Sequence, residues 1–179
     1  MKIPNSKRKK ALFIVDIQPI FTGTDKKIIN NVNKLIDSME YDYYVSAVFQ
    51  APKNSIWDKQ TDWNTAKDKN IVSLIGIPAK SSQANIFKTT KSVFKGDKSL
   101  IEKLKNKDIR EIHIVGYDTN DCVLATAYES FDEGFFTYVI EECADSSEGK
   151  IIHEAGLKVL RHVNLTNNSC IEKIKFLNI

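Results

Sequence analysis

The chain is poor in the residues that build nucleotide and metal sites. Its seven glycines form neither G-x-G-x-x-G nor G-x-x-x-x-G-K-[ST], so neither a dinucleotide fingerprint nor a P-loop is signalled, and no cofactor is expected. His113, His153 and His162, its three histidines, lack ligand spacing, so no metal is expected either. Three cysteines with no C-x-x-C pair make no disulfide framework and fit a reducing, cytoplasmic setting. No apolar run approaches the roughly 18 residues of a membrane span. The first such run, residues 11–15, stops at Asp16, too early for a signal-peptide core. Charge of one sign is scarce as well. The 26 Lys+Arg against 23 Asp+Glu leave a formal +3, too slight to argue for a nucleic-acid partner. The basic run at 7–10 reads as part of a solvated N-terminal arm, residues 1–10.

What is present is an ordinary globular composition, 42% hydrophobic and 27% charged over 179 residues, enough for one domain spanning 1–179. Short apolar runs alternate with helix-period segments, the rhythm of a parallel α/β sheet. Strands are expected at 11–15, 43–49, 85–88, 111–116 and 135–141, with a last one near 163–165. Helices are expected at 25–39, 99–106, 120–132 and 147–161, with a short one at the C-terminus. In 25–39, Ile28, Ile29, Val32, Leu35, Ile36 and Met39 recur at three- and four-residue spacing. Residues 50–84 break the rhythm and carry both tryptophans, Trp57 and Trp63. Such an irregular insertion reads as a lid, a binding loop or an oligomer arm near the site.

Open parallel sheets bind ligands beyond the carboxyl ends of their strands. The first strand ends in Asp16, the second at Phe49, the third at Lys88, and Cys122 opens the helix after the fourth. A helix N-terminus offers free N–H groups and partial positive charge, which favour a thiolate and can hold an oxyanion. Asp16 follows five apolar residues and is placed to act as general base and then acid. Lys88 would keep both groups ionised; on position alone Lys91 and Lys95 compete with it. Cys143 and Cys170 have no comparable address.

Three blocks agree with one family. The segment Gly116-Tyr-Asp-Thr-Asn-Asp-Cys122-Val-Leu-Ala-Thr-Ala resembles the signature of the isochorismatase-like cysteine hydrolases. Leu12-Phe-Ile-Val-Asp16-Ile-Gln18-Pro-Ile-Phe21 resembles its first strand, and Lys88-Thr-Thr-Lys-Ser-Val-Phe94 its lysine segment. The spacing to Phe94 selects Lys88. Glu142-Cys-Ala-Asp145 and the helix carrying His153 agree as well, so the likeness spans about residues 11 to 166.

The resemblance implies a three-layer, Rossmann-like α/β fold with a six-stranded, mostly parallel sheet flanked by helices. It implies Cys122 as nucleophile, Asp16 as proton carrier and Lys88 as electrostatic partner. It further implies a cis peptide between Tyr117 and Asp118, an oxyanion hole from the backbone N–H groups of Asp118 and Cys122, and a homo-oligomer, dimer or tetramer. Phe21, Phe49, Trp57, Phe94 and Tyr117 are candidates for the walls of a pocket for a small-molecule substrate. The nicotinamidases of the family carry an Asp-x-His metal site after the second strand. Here 49–57 reads Phe-Gln-Ala-Pro-Lys-Asn-Ser-Ile-Trp, without histidine. An intact Asp, Lys and Cys set points to amide or ureido C–N hydrolysis. The alternatives are an isochorismatase-type reaction and a non-catalytic binding or assembly protein. A phospho-receiver domain fails because its acidic pocket is missing.

Overall fold

The computed structural model describes residues 1–23, 25–61, 75–78 and 83–169 and the backbone of Phe176–Asn178. Trp63, Cys170 and residues 62–74 and 79–82 of the 50–84 insertion lie outside the described residues.

Five parallel strands form the centre, in the order β4-β3-β2-β5-β6. They are β2 (Lys10–Val15), β3 (Tyr43–Phe49), β4 (Ala84–Lys88), β5 (Glu111–Gly116) and β6 (Phe136–Ala144). The middle strand β2 is an unbroken apolar run because it is covered on both faces, and all five residues from Ala11 to Val15 are fully buried. Its side chains alternate. Phe13 and Val15 join a core with Val45, Leu104, Ile112, Val123 and Leu160. Leu12 and Ile14 join the opposite core with Ile28, Val32, Leu35 and Ile140. Helix α2 (Lys27–Ser38) covers this second face with the apolar stripe read from the sequence. Helices α4 (Leu100–Asn106), α5 (Cys122–Asp132) and α6 (Lys150–His162) cover the first. Two short helices, α1 (Pro19–Thr22) and α3 (Ile56–Gln60), follow β2 and β3.

From β2 the chain builds outward through β3 and β4, then returns to the other side of β2 to build β5 and β6. The order therefore reverses between β2 and β5, and the loops leaving their carboxyl ends diverge there, opening a crevice.

Three expectations are corrected. Residues 1–10 are not a solvated arm: β1 (Lys2–Pro4) pairs antiparallel with β7 (Phe176–Asn178), Ile3 is fully buried, and the Arg8 guanidinium lies over the Phe136 ring. Of the segment expected to hold a short C-terminal helix, Phe176–Asn178 form that strand and 170–175 lie outside the described residues. A short apolar segment fits either period, and the open partner strand decides. The strand expected near 163–165 is reduced to one parallel bridge between Val139 and Thr166. Asn164 turns the chain in the left-handed region, and a tight turn closes at once from Ser169 N–H to Thr166 O. No helix among the described residues is long and apolar enough to cross a membrane.

Candidate active site

Strand β2 delivers Asp16 to the crevice in the left-handed region, φ 51°, which Asp tolerates better than most residues. Its N–H continues the ladder to Ala47 O at 3.0 Å. Just beyond, the Gln18 amide clips the end of β3, accepting from Phe49 N–H at 2.8 Å and donating to Phe49 O at 3.0 Å. On the other flank, Tyr117 N–H donates to Val15 O at 2.9 Å. Gly116 permits that approach. Its φ is 112°, and a Cβ there would sit 1.9 Å from Val15 O.

Lys88 is the last residue of β4, and its side chain is fully buried. Its ammonium spends its three donors on Asp16 Oδ2 at 2.6 Å, Thr90 O at 3.1 Å and Cys122 Sγ at 3.3 Å. A buried ammonium is costly unless paired in this way. Cys122 is the first residue of α5. It follows a loop in which the Tyr117–Asp118 peptide is cis. Among the described residues neither the Asp118 nor the Cys122 N–H is taken by a backbone carbonyl.

The electrostatics differ from the thiolate expected at a helix N-terminus. Burial pushes the Cys122 thiol well up, the Asp16 carboxylate adds to the rise, and Lys88 opposes it. Burial also raises Asp16, against the pull of Lys88. For Lys88, burial alone would lower the ammonium, but Asp16 and Cys122 outweigh it and the result is a rise. Lys88 thus joins Asp16 and the Cys122 sulfur in one buried, coupled set. Asp16 Oδ1 is buried with no standard hydrogen-bond partner among the described residues, a place for the thiol proton to go.

A cavity of about 310 Å³ opens over Cys122. Of the five aromatic residues expected around it, Phe21, Phe49 and Trp57 line it. Phe49 and Trp57 meet edge to face at 4.9 Å, and the indole N–H anchors on Thr89 O at 3.0 Å. Phe94 does not line it: its ring packs in the core against Phe13 and Phe135. Tyr117 is buried in the opposite core. The sequence reading missed Thr61, Asp118 as a side chain, Asp121, Ser147 and Glu148, all of which line the cavity. Ser147 and Glu148 follow β6, so the strand-end rule applied to that strand would have found them. Lys91 also lines the cavity, but paired with Asp121 and 5.4 Å over the Trp57 ring rather than at the sulfur. Lys95 pairs with Glu129 at 2.9 Å.

Comparison with known proteins gives a consistent picture. The Isochorismatase domain matches residues 10–169. The chain is 28% identical over 165 residues to Nicotinamidase 3 of Arabidopsis thaliana, covering 86% of this chain and 81% of that one. An isochorismatase-like hydrolase from Alkaliphilus metalliredigens superposes with a TM-score of 0.75 at 20% identity, over 88% of this chain and 92% of its own. The pyrazinamidase of Pyrococcus horikoshii, in complex with zinc, gives 0.74 at 20% identity over 88% and 97%. PnC1 from L. infantum, in complex with nicotinate, gives 0.76 at 17% identity over 94% and 98%. These structures share the fold. Among the described residues no three His, Cys, Asp or Glu side chains gather as a metal site, and 49–57 has no histidine. Among the described residues the donor set does not fit a zinc ion.

Proposed function

Because the chain belongs to the Isochorismatase domain family, a family of hydrolases, we propose that it is a cysteine hydrolase cleaving a small amide or ureido C–N bond through a thioester on Cys122. The observation that carries the reading is the Lys88 ammonium, 2.6 Å from Asp16 and 3.3 Å from the Cys122 sulfur: three residues far apart in sequence meet, and the last of them lines the cavity. The amide chemistry is further supported by the likeness to a nicotinamidase.

With a carbonyl in the cavity, Asp16 accepts the thiol proton as sulfur attacks the carbonyl carbon. The π pair moves to oxygen, and the N–H groups of Asp118 and Cys122 receive the developing charge. Collapse re-forms the carbonyl and expels the amine, which takes the proton held on Asp16, and a thioester remains. Water then attacks the thioester while Asp16 takes its proton. Collapse releases the acid and returns that proton to sulfur. Lys88 keeps Asp16 anionic between steps and offsets the charge on sulfur. The aromatic faces of Phe49 and Trp57 suit a flat substrate. A homo-oligomer and a cytoplasmic location belong to the same proposal, and light scattering in solution tests the first.

The test is ammonia release from a panel of small amides, nicotinamide included, and ureido acids. At least one member should be turned over by the native chain and by no Cys122→Ala protein. Turnover that survives that substitution would overturn the thioester route, and a panel without any turnover would overturn the amide assignment.

A further inference from the structure

The loop that carries both candidate oxyanion donors is held from behind by α6 and from the side by the turn after β6. Gly156 of α6 lies so close that a Cβ would come within 2.9 Å of the Asn120 and Thr119 backbone. Thr119 N–H and its hydroxyl both donate to Asp145 O at 2.9 Å, and Ser146 Oγ bonds Asn120 Oδ1 at 2.7 Å. One link in this set reaches across the cavity wall. Asp118, only 7% exposed, accepts from Ser147 N–H at 2.6 Å with Oδ1 and from Ser147 Oγ at 3.1 Å with Oδ2. Asp118 and Ser147 both line the cavity with Cys122.

We propose that the Asp118 side chain is a positioning residue for acyl transfer: its carboxylate clamps the oxyanion loop to the turn that forms the facing wall of the cavity. The inference rests on the cysteine-hydrolase reading. An Ala at this place would leave the two N–H groups in the chain but loosen their aim, and small misplacements of catalytic groups cost about a hundredfold in rate.

The clamp is also sensitive to protons. Burial raises the Asp118 carboxyl to about 6, the two Ser147 bonds oppose the rise, and the charges of Glu148 and Asp121 add to it. The charged or titratable groups around it are Tyr117 and Asp121 on its own loop, Asp145 and Glu148 on the turn, His153 on α6, Lys91 across the cavity, and the Asp16–Lys88–Cys122 set. Above about pH 6 the carboxylate holds both bonds. Below it, a proton turns one oxygen into a donor and the clamp loses an accepting position. Turnover should therefore fall on the acid side through a group outside the triad.

The experiment uses the full chain and two probes. One is the amide that the panel identifies. The other is benzaldehyde: its carbonyl carbon bonds the Cys122 sulfur as the thiol proton passes to Asp16, and its oxygen becomes the alkoxide that the two N–H groups would hold. Its affinity is read from protection of Cys122 against iodoacetamide. Asp118→Ala should lower kcat about ten- to a hundredfold with little change in KM. It should weaken benzaldehyde by a similar factor and leave the alkylation rate of Cys122 within about twofold, since the triad is untouched. Asp118→Asn keeps the shape and removes the titration, so its kcat should fall less between pH 8 and pH 5 than the native chain's. Ser147→Ala removes a bond that holds the carboxyl down, so its acid limb should move to higher pH. Native kcat and benzaldehyde affinity in Asp118→Ala, or an unchanged acid limb in Asp118→Asn, would overturn the clamp alone. If Asp118→Ala does not fold, the pH profiles of the other two variants decide. A native chain that neither hydrolyses an amide nor binds benzaldehyde would overturn the clamp together with the hydrolase reading.

Discussion

At the amino ends of the strands, Glu111 and His113 are fully buried, as Asp16 and Lys88 are at the carboxyl ends. The amino-end cluster is closed. Tyr41 OH donates to His113 Nδ1 at 2.9 Å, and His113 Nε2–H donates to Glu111 Oε1 at 2.9 Å. Ser6 Oγ donates to Glu111 Oε2 at 2.6 Å, and Arg8 closes the set at 3.4 Å. The carboxyl-end cluster is open. Asp16 sits at a positive φ, one of its oxygens lacks a standard partner, and the thiol beside it faces a cavity. A network with every position satisfied fixes structure, whereas one with a vacant acceptor beside a nucleophile can move a proton.

Substitutions at the two ends should separate these roles. The largest effect is expected from Asp16→Asn, which keeps the shape but removes the proposed base. Turnover of a panel amide should drop by about 10²–10⁴, read as kcat/KM. Native turnover in that variant would erase the contrast between the two ends. Gly116→Ala should act through the fold at the same edge, because its Cβ would strike the Val15 carbonyl. A loss of about 3 kcal/mol or more in denaturant unfolding is expected.

At the closed end, Glu111→Ala should cost about 2–4 kcal/mol in the same assay while leaving kcat close to native. The pH dependence sharpens the contrast. Burial lowers His113, and the Glu111 bond only partly offsets it, so the native imidazole stays neutral where an unfolded one takes a proton. Stability from this group is complete above about pH 6.5, the ordinary His value, and falls as pH drops below it. Burial would raise Glu111, but His113 and Ser6 outweigh it and hold it low. Its contribution is present above the unfolded carboxyl range and is lost as pH falls through the lower folded value. Urea midpoints measured from pH 8 to pH 4 should therefore decline in the native chain.

Much of the frame was legible in the residues. The strands expected at 43–49 and 111–116 are found at Tyr43–Phe49 and Glu111–Gly116, because a strand covered on both faces is mostly apolar. Position at strand ends and at the following helix start marked Asp16 and Cys122, since a parallel sheet directs those ends to one rim; Lys88 was separated from Lys91 and Lys95 only by the family resemblance. Long-range and competing effects were not legible. The pairing of Lys2–Pro4 with Phe176–Asn178 joins three-residue segments from opposite ends of the chain, and no local pattern encodes it. Phe94 and Tyr117 sit near the right strand ends but turn into the two cores, a choice made by packing neighbours. The thiol expected to be ionised by its helix is instead pushed upward by burial and by Asp16, with Lys88 opposing, a contest that position alone does not decide.

A covalent enzyme leaves a mark that a direct-water enzyme does not. Amides sharing one acyl group but differing in leaving amine, hydrolysed by the native chain in hydroxylamine, should all give the same ratio of hydroxamate to acid. They would pass through one thioester on Cys122. A ratio that changes with the leaving amine, or hydrolysis with no hydroxamate at all, would contradict the account.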